Sequence, residues 1–173
     1  IAEPLTKKPG NTTGSAAKGR LPTEGDQFVN TFIPKQSPRN KKGDRVKYKF
    51  QPLVQAHLLN GDLHGPFEAR NIALADRSLN STMSGAENNA KKHAAKGKLK
   101  YHVSVAYHYE TAPPKKALSP DEEVPEPDVI RKWVGYFIAK SIQVTVTEWA
   151  GSSYSKGLTG ATASGGIPKV SGQ

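Results

Sequence analysis

His57, Asn80 and Glu87 are the residues of this chain whose types and spacing could do chemistry. The chemistry they suit is phosphodiester hydrolysis. That reaction needs a base to deprotonate water, a cation to absorb the charge developing on phosphorus, and a proton for the leaving oxygen. One neutral imidazole and one hydrated divalent ion can supply all three. A metal held by a single neutral side chain keeps most of its waters, and one of them can protonate the leaving group. Clustered carboxylates are not required.

Three elements must position these residues. Arg45 to Leu53 alternates, with Val46, Tyr48 and Phe50 on one side and Lys47 and Lys49 on the other, which predicts a half-buried strand. His57 ends that region. Asn60-Gly61 predicts a tight hairpin or omega-like loop, and Gly65 to Asp76 reads as a loop. Leu79, Met83, Ala86, Ala90 and Ala94 then recur at helical spacing, predicting a helix over Ser78 to Lys96 with Ser78 as N-cap and Gly97 as its stop. Asn80 falls in the first turn. Glu87, seven residues on, returns to the same face about 10 Å along the axis.

Elsewhere, Gln27 to Ile33 predicts a short strand and Lys98 to Glu110 the clearest one. Ile130, Trp133, Val134 and Phe137 have helix spacing, and Ser141 to Trp149 reads as a strand. The fold class expected is α+β, a small antiparallel sheet with one main helix. Residues 1–26 read as a flexible basic arm, 27–149 as the folded domain, and 150–173 as a Gly/Ser-rich tail with little to bury.

The chain has 173 residues, a hydrophobic fraction of 35% and a net charge of +10. Such a field attracts polyanions, and nucleic acid is the first partner it suggests. No apolar run is long enough to span a bilayer, and no basic amphipathic helix points to a membrane surface. The cysteine count is zero, which excludes disulfides and thiolate metal sites. A chain beginning at Ile1 reads as a piece of something longer.

The stretch from Gln27 to Glu110 resembles the DNA/RNA non-specific endonucleases of the ββα-metal (His-Me finger) fold. In that family a histidine closes an Asp-Arg-Gly-His motif. An Asn-φ-Ser/Thr-Pro segment follows, and nine residues after its Asn comes a metal-binding Asn on a helix that runs on to a Glu. The matching residues are His57, Asn71, Asn80 and Glu87, and the step from Asn71 to Asn80 is nine. Closer still is a toxin-like branch, with Gly-His-Leu-Leu-Asn-x-x-Leu-Gly-Gly-Pro where this chain reads Ala56-His57-Leu58-Leu59-Asn60-Gly61-Asp62-Leu63-His64-Gly65-Pro66. Its members often close large secreted bacterial proteins. The resemblance implies a metal-dependent nuclease acting on DNA or RNA, delivered as part of a larger protein and working in a target cytoplasm. It makes His57 the general base, Asn80 the ligand of Mg²⁺ or another divalent cation, Asn71 a residue that orients the base or the metal waters, and Glu87 one that binds a metal water or holds the helix. It also implies an acidic immunity protein as partner.

The chain departs from the pattern at three places. Val54-Gln55-Ala56-His57 lacks the Asp and Arg, Ala73-Leu74 stands for Ser/Thr-Pro, and His64 replaces a glycine. With that arginine gone, Arg45, Lys47, Arg70 and Arg77 are the candidate phosphate contacts, and His64 a further one. Two other readings stay open: a nucleic-acid-binding module without catalysis, and a basic domain that docks an acidic protein.

Overall fold

The computed structural model describes residues 2–5, 23–37, 42, 44, 51–60, 63–66, 68–114, 123–149 and 154–170. The fold is α+β. The strands are β1 (Ala2–Leu5), β2 (Leu53–His57), β3 (Ile72–Asp76), β4 (Leu99–Tyr107), β5 (Ala139–Trp149) and β6 (Tyr154–Ser164). The helices are α1 (Glu24–Phe32), α2 (Arg77–Ala94) and α3 (Pro127–Phe137). One antiparallel sheet has the order β1-β4-β5-β6, and β2 and β3 form a separate hairpin. A parallel bridge between Leu74 and Ile138 joins the two.

The hairpin separates two cores. Ala56, Ala73 and Ala75 face the first, where the stripe Leu79, Met83, Ala86, Ala90 and Ala94 of α2 packs on Leu99, Tyr101, Ile142, Val144 and Val146 of the sheet. Those five α2 residues are the stripe expected from spacing, and all are buried. Leu53 and Leu74 face the second core, with Phe28, Val29 and Phe32 of α1 and Ile130 and Val134 of α3. Small residues on one side of the hairpin let α2 approach. Large ones on the other fill the space under α1 and α3.

Several expectations change. Residues 27–33 are not a strand but lie mostly within α1. Phe28, Val29 and Phe32 are all buried, a spacing of i, i+1 and i+4 that fits a helix face, and the Thr23 hydroxyl accepts from the Asp26 N–H as N-cap. A short Phe-x-Asn-x-Phe run satisfies both periods, and the cap decides. Of the tight hairpin or omega-like loop expected around Asn60-Gly61, the pairing excludes the tight hairpin and fits the longer loop. His57 pairs with Ile72, so the whole of 58–71 connects the strands. Ile72 to Asp76, read as loop, is β3, and its first four residues are buried because both its faces meet a core.

The stretch read as a tail carries β6, which pairs along β5, and Val170 beyond it is buried in the second core. Strand pairing there rests on backbone hydrogen bonds, which hydropathy does not report. Ala2–Leu5 of the expected arm pairs with β4, and Gly25 and Asp26 are buried in α1. The strand expected over Arg45 to Leu53 lies, up to Phe50, outside the described residues.

Asp76 ties these parts together. It closes β3, and as N-cap of α2 its Oδ1 accepts from the Leu79 N–H at 2.8 Å and the Ser78 hydroxyl at 2.6 Å. Ser78, the expected cap, thus supports the cap two residues earlier. Oδ2 accepts from the Gly166 N–H at 3.0 Å, just after β6. Burial alone would raise the Asp76 pKa. The hydrogen bonds from Ser78, Leu79 and Gly166 outweigh it and hold the carboxyl below its ordinary value of 3.8. A Cβ at Gly165 would collide with the same carboxylate.

Asp76→Ala removes a helix cap and the acceptor of a distant N–H. The expected loss is about 2 kcal/mol, a fall in Tm of roughly 5 °C. Thermal melts followed by far-UV circular dichroism check it, and an unchanged Tm would refute the junction. Gly165→Ala is expected to destabilise as well. Because the Asp76 pKa is depressed, its stabilisation is present above 3.8 and disappears as pH falls through the lower folded value.

Candidate active site

The 58–71 loop is built around Asn71. This side chain is 7% exposed, and its amide is engaged with backbone on every side. Nδ2 donates to the Leu59 carbonyl at 2.8 Å and the Pro66 carbonyl at 2.9 Å, while Oδ1 accepts from the Leu59 N–H at 2.9 Å. Asn71 therefore commits both amide hydrogens and one acceptor position to the loop backbone. It latches the loop that follows His57.

Inside the loop, the Asn60 carbonyl accepts from the Leu63 and Gly65 N–H groups, and Leu63 is fully buried in the first core. A side chain at Gly65 would strike the Leu59 and Asn60 carbonyls, so only glycine fits there. His64 has φ 65°, the only non-glycine with positive φ among the described residues. The position held by glycine in the toxin-like pattern is thus one whose backbone favours glycine. His64 is exposed, which suits a turn residue.

His57 closes β2 in unbroken register with β3. Period two puts it on the hairpin face of Leu53 and Gln55, opposite Ala56. Gln55 on that face donates to the Asp26 carboxylate of α1 at 2.6 Å. His57 is half-buried with its Nε2 screened from solvent, and burial lowers its pKa from 6.5. The imidazole is therefore neutral at pH 7, the state a general base requires.

Which residue of α2 stands level with His57 follows from rise. From Ile72 to Asp76, β3 spans about 13 Å. A helix returning alongside needs roughly nine residues to cover that distance. By that rise Glu87 is nearer this level along the axis than Asn80, although α2 packs on the hairpin face opposite His57. A contact supports this: Asn60 Nδ2, three residues past His57, donates to Glu87 Oε2 at 3.4 Å. Asn80 lies about 10 Å lower on the same half-buried flank of α2, with Ser84 between them. Among the described residues none hydrogen-bonds the Asn80 side-chain amide.

Sequence reasoning missed Tyr101. Its ring is 1% exposed beneath α2, and its hydroxyl has no hydrogen-bond partner among the described residues. Burial, and then the Glu87 carboxylate, push its pKa far up. An orphaned buried hydroxyl facing a carboxylate's charge is a place where a water or ion would be satisfied. The alternation of β4 could have shown Tyr101 as buried, but only the fold puts it beside Glu87.

Of the candidate phosphate contacts, Arg70 is paired with Glu68 at 2.8 Å on the surface and Arg77 is exposed at the start of α2. Arg45 and Lys47 lie outside the described residues. Lys91, Lys92, Lys96, Lys98 and Lys100 gather where α2 ends and β4 begins, starting one turn beyond Glu87. No helix among the described residues is long and apolar enough to cross a membrane.

Asn71→Ala leaves two buried carbonyls and one N–H without partners. A loss of about 3 kcal/mol is expected, read as a lower urea midpoint at unchanged slope. Asn71→Asp keeps the acceptor but loses both donors, so it should not rescue. If either variant matched the parent, the loop would not depend on this amide. A second expectation concerns pH. With the folded His57 pKa below 6.5, the unfolded chain binds more protons as pH falls past 6.5, so stability declines on that side. Replacing His57 with Gln should flatten that slope in urea titrations at pH 7 and pH 5.

No family model matches the chain, and neither does any curated protein or solved structure.

Proposed function

We propose that this chain is a metal-dependent endonuclease of low sequence specificity, with its centre at the loop end of the β2–β3 hairpin. The observation that supports this best is a neutral, half-buried His57 at a strand end, three residues before Asn60, whose amide donates to Glu87 of α2. In this reading His57 takes a proton from the attacking water, and substrate entry must uncover its screened nitrogen. Asn71 acts only by holding the loop. The lysines from Lys91 to Lys100 draw the phosphate backbone along the end of α2.

The donors at the centre fit a hard cation. Glu87 offers a carboxylate, Asn60 and Asn80 offer amide oxygens, and Tyr101 offers a hydroxyl, all oxygen ligands of the kind Mg²⁺ prefers. Bound there, such an ion would stabilise charge on the phosphate and acidify its waters. Glu87 and Asn60 would hold it nearest His57, and Asn80 would act lower on the same flank. This shifts the emphasis from Asn80, the ligand the family pattern implies, towards Glu87. Delivery as the toxic end of a larger bacterial protein, with an acidic partner to silence it, belongs to the same proposal.

Incubation with plasmid DNA and total RNA, with Mg²⁺ and with chelator, tests the reading. Cleavage that chelator abolishes is expected, and His57→Ala should cut at least 10²-fold more slowly. Glu87→Gln should lose more activity than Asn80→Ala. Substrates left intact under every divalent metal would overturn it. Salt-sensitive binding without cutting would instead mark a scaffold that only binds nucleic acid.

A further inference from the structure

A cavity of about 660 Å³ opens between the start of α1, β3, the end of β4 and the end of α3. Its walls carry four aromatic rings, Tyr107, Tyr109, Tyr136 and Phe137, and two carboxylates, Glu24 and Glu110. Among the described residues no lysine or arginine lines it, although the chain as a whole carries +10.

The rings are held in place. Tyr136 and Phe137 meet edge to face at 5.0 Å, and Phe137 packs on Phe28 of α1 at 5.0 Å. Tyr109 lies against α3 at Gly135, where a Cβ would come within 2.6 Å of its ring. Tyr107 is 42% exposed, and its pKa is raised by burial and then by the neighbouring Tyr136. Tyr107 therefore meets solvent at a cavity whose other rings are packed against α1 and α3.

The position of the cavity matters as much as its lining. Ile72 contributes to it and is the cross-strand partner of His57. Directly opposed residues of an antiparallel pair place their Cβ atoms about 5 Å apart on one face. The cavity thus borders the hairpin face on which His57 stands.

We infer that this cleft is a nucleobase subsite with a preference for guanine. The inference rests on the reading of the chain as acting on nucleic acid. Aromatic walls stack any base. The carboxylates repel phosphate, so the backbone stays outside, towards His57, and only the base enters. Carboxylates accept hydrogen bonds and donate none, so they select a base edge made of donors. Guanine offers adjacent N1–H and N2–H donors, which match both oxygens of one carboxylate. Adenine offers one amino group beside an acceptor. An organic cation would also suit rings and carboxylates, but it would approach against the long-range field of a +10 chain, which draws polyanions and the bases they carry.

Titration of the full chain with guanosine, adenosine, cytidine and choline, followed by calorimetry and tyrosine fluorescence, tests this without any cleavage step. Saturable guanosine binding is expected, with adenosine at least tenfold weaker. Tyr107→Ala should weaken all nucleosides about tenfold, and the double variant Glu24→Gln, Glu110→Gln should lose the preference for guanosine. All three replaced side chains are exposed, and circular dichroism checks that the variants fold. Failure of folded parent protein to bind guanosine, equal binding of all nucleosides, or tighter binding of choline would each overturn the inference. Binding guanosine while leaving nucleic acids intact would sink the nuclease reading and keep this one. Cutting nucleic acids while ignoring guanosine would do the reverse.

Discussion

The carboxylate of Asp76 is the junction on which the rest of the arrangement depends. One oxygen caps α2 and the other receives the Gly166 N–H, from a segment ninety residues further along the chain. The end of β3, the start of α2 and the exit from β6 are thereby fixed at one point. The direction of α2 is set there, and with it the level at which Glu87 meets the loop. A side chain of four heavy atoms does this because an ionised carboxylate can accept several hydrogen bonds at once, each stronger for its charge.

At the opposite end of the hairpin, Asn71 plays the complementary part. A loop of this length has backbone groups that neither strand nor helix satisfies. One buried amide, with two donors and an acceptor, satisfies three of them. The cost of the tight path is visible at Gly65, which has no room for a Cβ, and at His64, which takes a left-handed conformation without being glycine. Loop and helix then meet through Asn60 and Glu87. The hairpin is thereby supported at both of its ends.

Charge is divided among the described residues. Lysines concentrate beyond Glu87, at the end of α2, while the aromatic cavity near α1 has an acidic lining. The hairpin lies between them, with alanines towards α2 and Leu53, Gln55 and His57 on the other face. A strand of alternating small and large residues can serve two cores, and this one separates the two chemically different surfaces. For the proposed function, that is a division between a track for backbone phosphates and a place for a base.

By itself the sequence determined the α+β class, the extent and buried stripe of α2, the helix of α3 and the strands β4 and β5, because long apolar patterns have one period only. It also determined that a histidine stands at a strand end before a loop and a helix. Short or small-residue segments were not legible. Phe28 to Phe32 fits two periods, Ile72 to Ala75 is apolar on both faces, β6 is a strand through backbone pairing with its neighbour β5, and Ala2–Leu5 through pairing with the distant β4. Residue types alone likewise left the parts of Asn71, Glu87 and Tyr101 open. An amide can latch a loop or bind a metal, and only the tertiary structure surrounds Asn71 with backbone partners and brings Glu87 to Asn60 of the loop. The order of types along the chain follows from local chemistry, whereas the partner each side chain finds depends on how Asp76 and Asn71 bring remote segments together.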